Sequence, residues 1–225
     1  MSENKRKIFI SYSHTEQNKR LKENLATFLS NKNLIIDKSE REDKSNLTDE
    51  TIWKHLEQRI KGSTITIVLL TKDLFLNNKH KLNYVVGSFL DSGWIYNEIS
   101  ASLRNWDANK INGIIVVYEP EAEEYIQKNQ PSKCTHCANK SVNMIHLGNK
   151  IIRKNMFNIN EKFKMDKNCE YHDSEEDNFI SLVSLNNFKN NPSKYIENAF
   201  AKREKQINSN NNYFTIEYNF HKKDN

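Results

Sequence analysis

TITIVLL, Thr64 to Leu70, is the run whose reading decides the fold. It is apolar almost throughout and rich in β-branched residues. A strand with one wet face would alternate. A continuous apolar run of this length fits a strand covered on both faces, which is the habit of parallel sheets. Working backwards, Thr48 or Asp49 caps a helix whose buried stripe is Ile52, Leu56 and Ile60, and Gly62 ends it. Working forwards, INGIIVVY at Ile111–Tyr118 is a strand of the same kind, and so is KIFISY at Lys7–Tyr12 near the start. FISLVSL at Phe179–Leu185 adds another, and Leu34–Ile36 a short one.

Helical patterns separate these strands. Ser13 and Thr15 offer caps for a helix bearing Leu21, Leu25, Phe28 and Leu29. Ser92 can cap another running through Trp94, Ile95, Ile99 and Leu103. Asn191 caps a third, with Pro192 at its first position and Tyr195, Ile196, Ala199 and Phe200 along it. The order is βαβαβαβ, a long insert, then βα. It predicts an α/β fold: a doubly wound, mostly parallel five-stranded sheet with helices on both faces. Residues 1–207 form a single domain, with an insert at 119–177. In the tail at 208–225, Phe214, Ile216, Tyr218 and Phe220 alternate with polar residues, which suggests a late edge strand. Residues 71–93 are long and irregular, with a helical turn expected near Val85–Leu90.

Composition removes several classes. The 225 residues carry a formal charge of +5, but Lys and Asn are spread throughout and no long basic run occurs. No nucleic-acid partner is inferred. The N-terminal MSENKRK does not read as a secretory signal, and no apolar stretch approaches the ~20 residues that span a bilayer. A cytoplasmic protein without a membrane partner is expected. With only five Gly and three Pro, turns must lean on Asn, Ser, Asp and Lys. The three cysteines, Cys134, Cys137 and Cys169, do not form a secreted disulfide pattern. With His172 their spacing is compatible with tetrahedral zinc, and His136 and His146 compete as ligands. The gap of 31 residues between the pairs is long for a zinc ribbon. Reduced structural thiols are the preferred reading, and no metal is assigned.

In doubly wound folds ligands sit at the carboxyl ends of the strands. Three segments meet there: Ser11–Thr15, the charged loop DKSEREDKSNL at Asp37–Leu47, and the approach to the Trp94 helix. On that helix Trp94 and Glu98 are four apart and share a face, while Ile95, Ile99 and Leu103 make a separate stripe. The core pattern does not call for Glu98. A solvated helix glutamate is the bland alternative, and plain packing is the bland alternative for Trp94.

KIFISYSH, the charged loop after the second strand, and SGWIYNEI at Ser92–Ile99 together resemble the TIR domain family. The C-terminal FISLVSLNNFKNNPSKYIENA is similar to the end of the TIR-like sensors of the Thoeris anti-phage system. The resemblance covers Lys7–Arg104 well and Phe179–Ala199 more loosely. It implies a flavodoxin-like TIR fold and cleavage of the nicotinamide–ribose bond of NAD, as a glycohydrolase or ADP-ribosyl cyclase. Glu98 would be the catalytic carboxylate, and Ser11, Tyr12, Ser13 and Trp94 would contact the substrate. Self-association through TIR surfaces and an effector answering the nucleotide product follow from the same resemblance. The chemistry agrees: nicotinamide leaves as a neutral pyridine, so one carboxylate suffices where ordinary glycosidases need two. The main rival is a TIR adaptor that only self-associates. A response-regulator receiver is rejected, because Ser11-Tyr12-Ser13 stands where its acidic residues would. A flavodoxin lacks support without glycine in that loop, and a nucleoside deoxyribosyltransferase-like enzyme remains a minor reading.

Overall fold

The computed structural model describes residues 5–39, 48–76, 94–106, 109–133, 141–145, 150–164 and 175–218. Among these, β1 (Arg6–Ser11), α1 (Glu16–Asn31), β2 (Ile35–Asp37), α2 (Asp49–Lys61), β3 (Ile65–Leu70), α3 (Lys72–Leu76), α4 (Trp94–Ser102) and β4 (Gly113–Tyr118) lead up to the insert. The insert holds α5 (Glu123–Ile126), a hairpin of β5 (Gln127–Lys133) and β6 (Ser141–Ile145), and α6 (Lys150–Lys154). β7 (Ile180–Ser184), α7 (Leu185–Asn190) and α8 (Pro192–Asn208) follow.

The main sheet is five-stranded, ordered β2-β1-β3-β4-β7, and every pairing in it is parallel. This is the doubly wound parallel sheet predicted from the order of elements, in the flavodoxin-like arrangement that the resemblance implies. β3 and β4 are buried at every position, as their unbroken apolar runs require. One face of the sheet carries Ile8, Ile10, Ile65, Ile67, Leu69, Ile115 and Val117 against α1, α7 and α8. The other carries Val68, Leu70, Ile114 and Val116 against α4 and α6, with Phe9 against α2. The apolar stripe of α8 comes so close to β4 that a Cβ on Gly113 would lie 2.3 Å from the Ala199 carbonyl oxygen.

Caps fall where the sequence puts them. Thr15 accepts from the Asn18 N–H, Thr48 from Thr51, and Asn191 from Lys194. Each satisfies one of the orphan amides of a first helical turn. The last helix is also tied to the first strand. The Arg6 guanidinium donates to both carboxylate oxygens of Glu197, at 3.1 and 2.8 Å, and lies 3.5 Å from the centre of the Phe200 ring.

The tail departs from the expected edge strand. Within residues 213–218 no ladder forms, and Phe214 makes an isolated antiparallel bridge to Ile159; residues 219–225 lie outside the described ones. Side-chain amides hold this segment in place of a ladder. Gln206 donates to the Phe214 carbonyl at 3.1 Å and accepts its N–H at 2.7 Å. Asn155 does the same for Glu217, at 2.6 and 3.0 Å. The hydrophobic gain comes from Phe214, which is buried edge-on to Phe179. No helix among the described residues is long and apolar enough to cross a membrane.

Candidate functional site

The chain leaves β3 at the carboxyl edge of the sheet and enters β4 at the amino edge. α4 lies between them, so its N-terminus points toward the carboxyl edge. Its height is fixed by one bond: Ser102 Oγ lies 2.7 Å from Thr66 Oγ1, near the start of β3. Glu98 is one turn earlier, roughly 6 Å along the helix axis. Strands rise about 3.3 Å per residue, so Glu98 stands level with Val68. Val68 is in register with Ser11 on the neighbouring strand. Side chains alternate along a strand, so Ser11 shares the face of Phe9, and Val68 that of Thr66. Phe9 packs with Ala101 of α4, and Thr66 bonds to Ser102. Glu98 and Ser11 therefore meet the carboxyl edge at one height and on one face.

Both are buried. Glu98 is 2% exposed and Ser11 1%. The bland expectation of a solvated helix glutamate is not met, because α4 is enclosed on nearly every side. Ser11 Oγ has no hydrogen-bond partner. Neither does Thr71 Oγ1, immediately after β3, nor either amide atom of Asn18 in the first turns of α1. They sit at the end of β1, just after β3 and in the first turns of α1, the elements that border the point where the sheet's winding reverses. That is the position at which such folds bind ligands. A buried polar group without a partner costs on the order of 1–3 kcal/mol. Three such residues border the switch point.

The other expected contacts separate. Tyr12 points to the α1 side, into the apolar cluster of that face, with its ring 4.7 Å from that of His14. Ser13 is half-buried and its carbonyl accepts from the Thr15 N–H at 2.8 Å. α4 begins at Trp94, whose side chain lies outside the described residues, as do Ser92 and the turn expected near Val85–Leu90. Cys134, Cys137, Cys169 and His172 also lie outside them, and with them the zinc reading. No group of acidic, Cys and His residues able to hold a metal occurs among the described residues.

The charged loop is described only at its stem, since residues 40–47 lie outside. That stem is clamped from three sides. Asp37 pairs with Lys22 of α1 at 3.5 Å, both side chains buried. Ser39 Oγ accepts the Ile10 N–H at 2.7 Å, where β2 has already ended. Arg59 of α2 donates to the carbonyls of Lys38 and Ser39, at 3.3 and 2.7 Å. A cleft of about 470 Å³ lies beneath, lined by the stem and by His55, Gln58, Arg59 and Gly62; Glu98 is not in its walls.

One acidic residue at the carboxyl edge went unread in the sequence. Glu119 directly follows β4, and its N–H donates to the Leu70 carbonyl. Burial first, then the nearby Glu121 and Asp73, push its carboxyl above the usual range. Asn18, Thr71 and Glu119 carried no signal because a lone polar residue at the end of an element reads as a cap or a turn.

Residues 9–74 match the family model of the Thoeris protein ThsB, TIR-like domain. The match runs from β1 to α3 and includes the charged loop and its stem. No solved structure matches the chain significantly. Residues 9–74 are thus similar to the TIR-like domain of the Thoeris protein ThsB, and the all-parallel β2-β1-β3-β4-β7 sheet carries the flavodoxin-like arrangement on beyond the matched segment.

Proposed function

We propose that the protein cleaves the nicotinamide–ribose bond of NAD, as a glycohydrolase or ADP-ribosyl cyclase, and makes an ADP-ribose-derived signal in anti-phage defence. One observation supports this reading most: a glutamate buried in the first turns of α4, the helix packed on the sheet face to which Ser11, with its unpartnered hydroxyl, belongs. Taking a carboxylate out of water is costly. Its use is electrostatic. As the glycosidic bond lengthens, positive charge grows on the ribose, and a fixed carboxylate in a site shielded from water stabilises it strongly. The leaving nicotinamide is neutral and needs no proton donor. Ser11 and Thr71 offer hydroxyls for the ribose or the phosphates. The product is decided by what reaches the ribosyl cation first, water or another atom of the same nucleotide.

The test is direct. Purified protein incubated with NAD should release nicotinamide, read by chromatography. Glu98→Gln keeps size and removes charge, and should lower the rate on the order of a hundredfold or more. Equal turnover by the Gln variant under activating conditions would leave the adaptor reading, in which the domain acts by self-association alone.

A further inference from the structure

A buried chain of hydrogen bonds ends on the backbone of Glu98. Ser102 Oγ donates to the Glu98 carbonyl at 2.7 Å. Thr66 Oγ1 lies 2.7 Å from Ser102 Oγ. Asn112, just before β4, donates from Nδ2 to Thr66 Oγ1 at 3.2 Å. The polarity follows from chemistry. A carbonyl only accepts, so the single hydroxyl proton of Ser102 is committed to Glu98. Thr66 must then donate to Ser102, and it accepts from Asn112, whose amide nitrogen cannot accept. The far end is anchored too. Asn112 Nδ2 reaches the Ile60 carbonyl and Ser63 Oγ at the end of α2, at 3.2 and 2.9 Å, and the Asn112 N–H donates to the Ser102 carbonyl at 2.8 Å. Thr66, Ser102, Asn112 and Ser63 are all buried.

Packing does not ask for this arrangement. β3 is otherwise apolar at every position, and α4 already has Ile95, Ile99 and Leu103 to hold it down. A serine bonded back to the carbonyl four residues earlier slightly weakens a helix. Apolar contact has no direction, however, and leaves a helix free to slide or roll by fractions of an ångström. A chain of oriented hydrogen bonds does not.

We propose that Thr66 and Ser102 are positioning residues: their hydroxyls lock α4 to the central strand so that Glu98 stands at a fixed height against Ser11. Their effect on turnover rests on the NAD reading above; the lock itself does not. Misplacing a reacting group by about 1 Å costs up to a hundredfold in rate, so a partial loosening should cost roughly tenfold.

The experiment compares T66V, T66S and S102A with wild type, by NAD turnover and by hydrogen exchange of α4. T66V keeps the branched shape and removes the donor. It should lower kcat roughly tenfold while KM stays within about twofold. T66S, which retains the hydroxyl, should restore kcat to within about twofold of wild type. A merely structural hydroxyl would lower the melting temperature and leave the kcat of folded protein unchanged, and that result overturns the proposal. Should T66V fail to fold, S102A breaks the same chain from the helix side and is read identically. Exchange at the Ser102 and Leu103 amides should rise in T66V relative to α2 and return to normal in T66S. Unchanged exchange in T66V overturns the lock whatever happens to NAD. If wild type leaves NAD intact while exchange responds as stated, the substrate reading falls and the lock stands.

Discussion

Gly113 opens β4 at a point where no side chain fits. Its missing Cβ would sit 2.3 Å from the carbonyl oxygen of Ala199 and 2.8 Å from the carbonyl carbon, both backbone atoms of α8. Neither can swing aside as the tip of a side chain could. Gly113→Ala should therefore destabilise by about 1–3 kcal/mol, seen as a lower urea midpoint with an unchanged slope. Gly62 makes the contrast: a Cβ there would meet only helix carbonyls at 3.3 Å and beyond, and its φ of −82° suits any residue. Its part in ending α2 is thus not one of left-handed geometry. Among the described residues, three of the four left-handed positions are asparagines: Asn33, Asn210 and Asn211. That was foreseeable from a chain with five glycines, because asparagine tolerates positive φ better than other non-glycine residues. Phe157, at φ 54°, was not foreseeable. A bulky residue gives no hint of such a backbone, and here the Asn178 side-chain oxygen holds the Phe157 amide.

At the level of elements, the strands carry their own signatures and the polar burial does not. TITIVLL and INGIIVVY read as buried strands, and Ile65–Leu70 and Gly113–Tyr118 within them are. The stripe Ile95, Ile99, Leu103 places α4 on the sheet, yet it leaves Glu98, Ser100 and Ser102 looking like a wet face when they are buried. Periodicity reports which face is apolar; it says nothing of a second face packed against α2. α7 was hidden for another reason. FISLVSL reads as a strand to its end, but Ser184 stops it by capping the next helix, accepting from the Asn187 N–H at 3.3 Å. The hairpin at QKNQPSK lacks both alternation and β-branched residues, so no pattern could announce it. The end of β4 offers a test of electrostatics. The carboxyl of Glu119 is raised by burial, then by Glu121 and Asp73. The unfolded chain ionises it at the ordinary value, so folding is disfavoured once the pH exceeds that value, and the penalty is complete above the raised one. Glu119→Gln should raise the melting temperature at neutral pH. The gain should fade as the pH falls and vanish near about pH 4. A gain equal at both pH values would place the effect in packing and not in charge.

For the molecule as a whole, the sequence makes the order of elements plain but not how the carboxyl edge is closed. Ser11 and Glu98 were legible as candidates, whereas their common height depends on the Phe9–Thr66 and Ser11–Val68 register, which no local pattern encodes. The loop that begins at Asp37 is longer than the ~2–6 residues usual between a strand and a helix. Its stem is held by Lys22, the Ile10 N–H and Arg59. A long loop on a rigid stem is suited to reaching a neighbouring copy. If a second copy completes the site, the rate per subunit should rise with concentration. Activity across a dilution series, with mass measured at each point, reads this out. Charge reversal at Arg41, Glu42 and Asp43, which lie outside the described residues, should flatten the rise without lowering the melting temperature. A flat specific activity from a protein monomeric throughout would mean a self-contained site.

The tie between Arg6 and Glu197 also sets a timetable. The two residues are 191 positions apart, and Ile196 and Ala199 on the same helix cover the face that Ile8, Ile10 and Ile67 present. During synthesis β1 and β3 leave the ribosome long before α8 exists. Through that interval the sheet's α8-facing surface has no cover, and contacts so distant in sequence form slowly. The growing chain therefore passes through a stage with an exposed apolar sheet, when it is most prone to aggregate or to engage a chaperone. The wait ends only when α8 docks and Arg6 closes on Glu197 and Phe200.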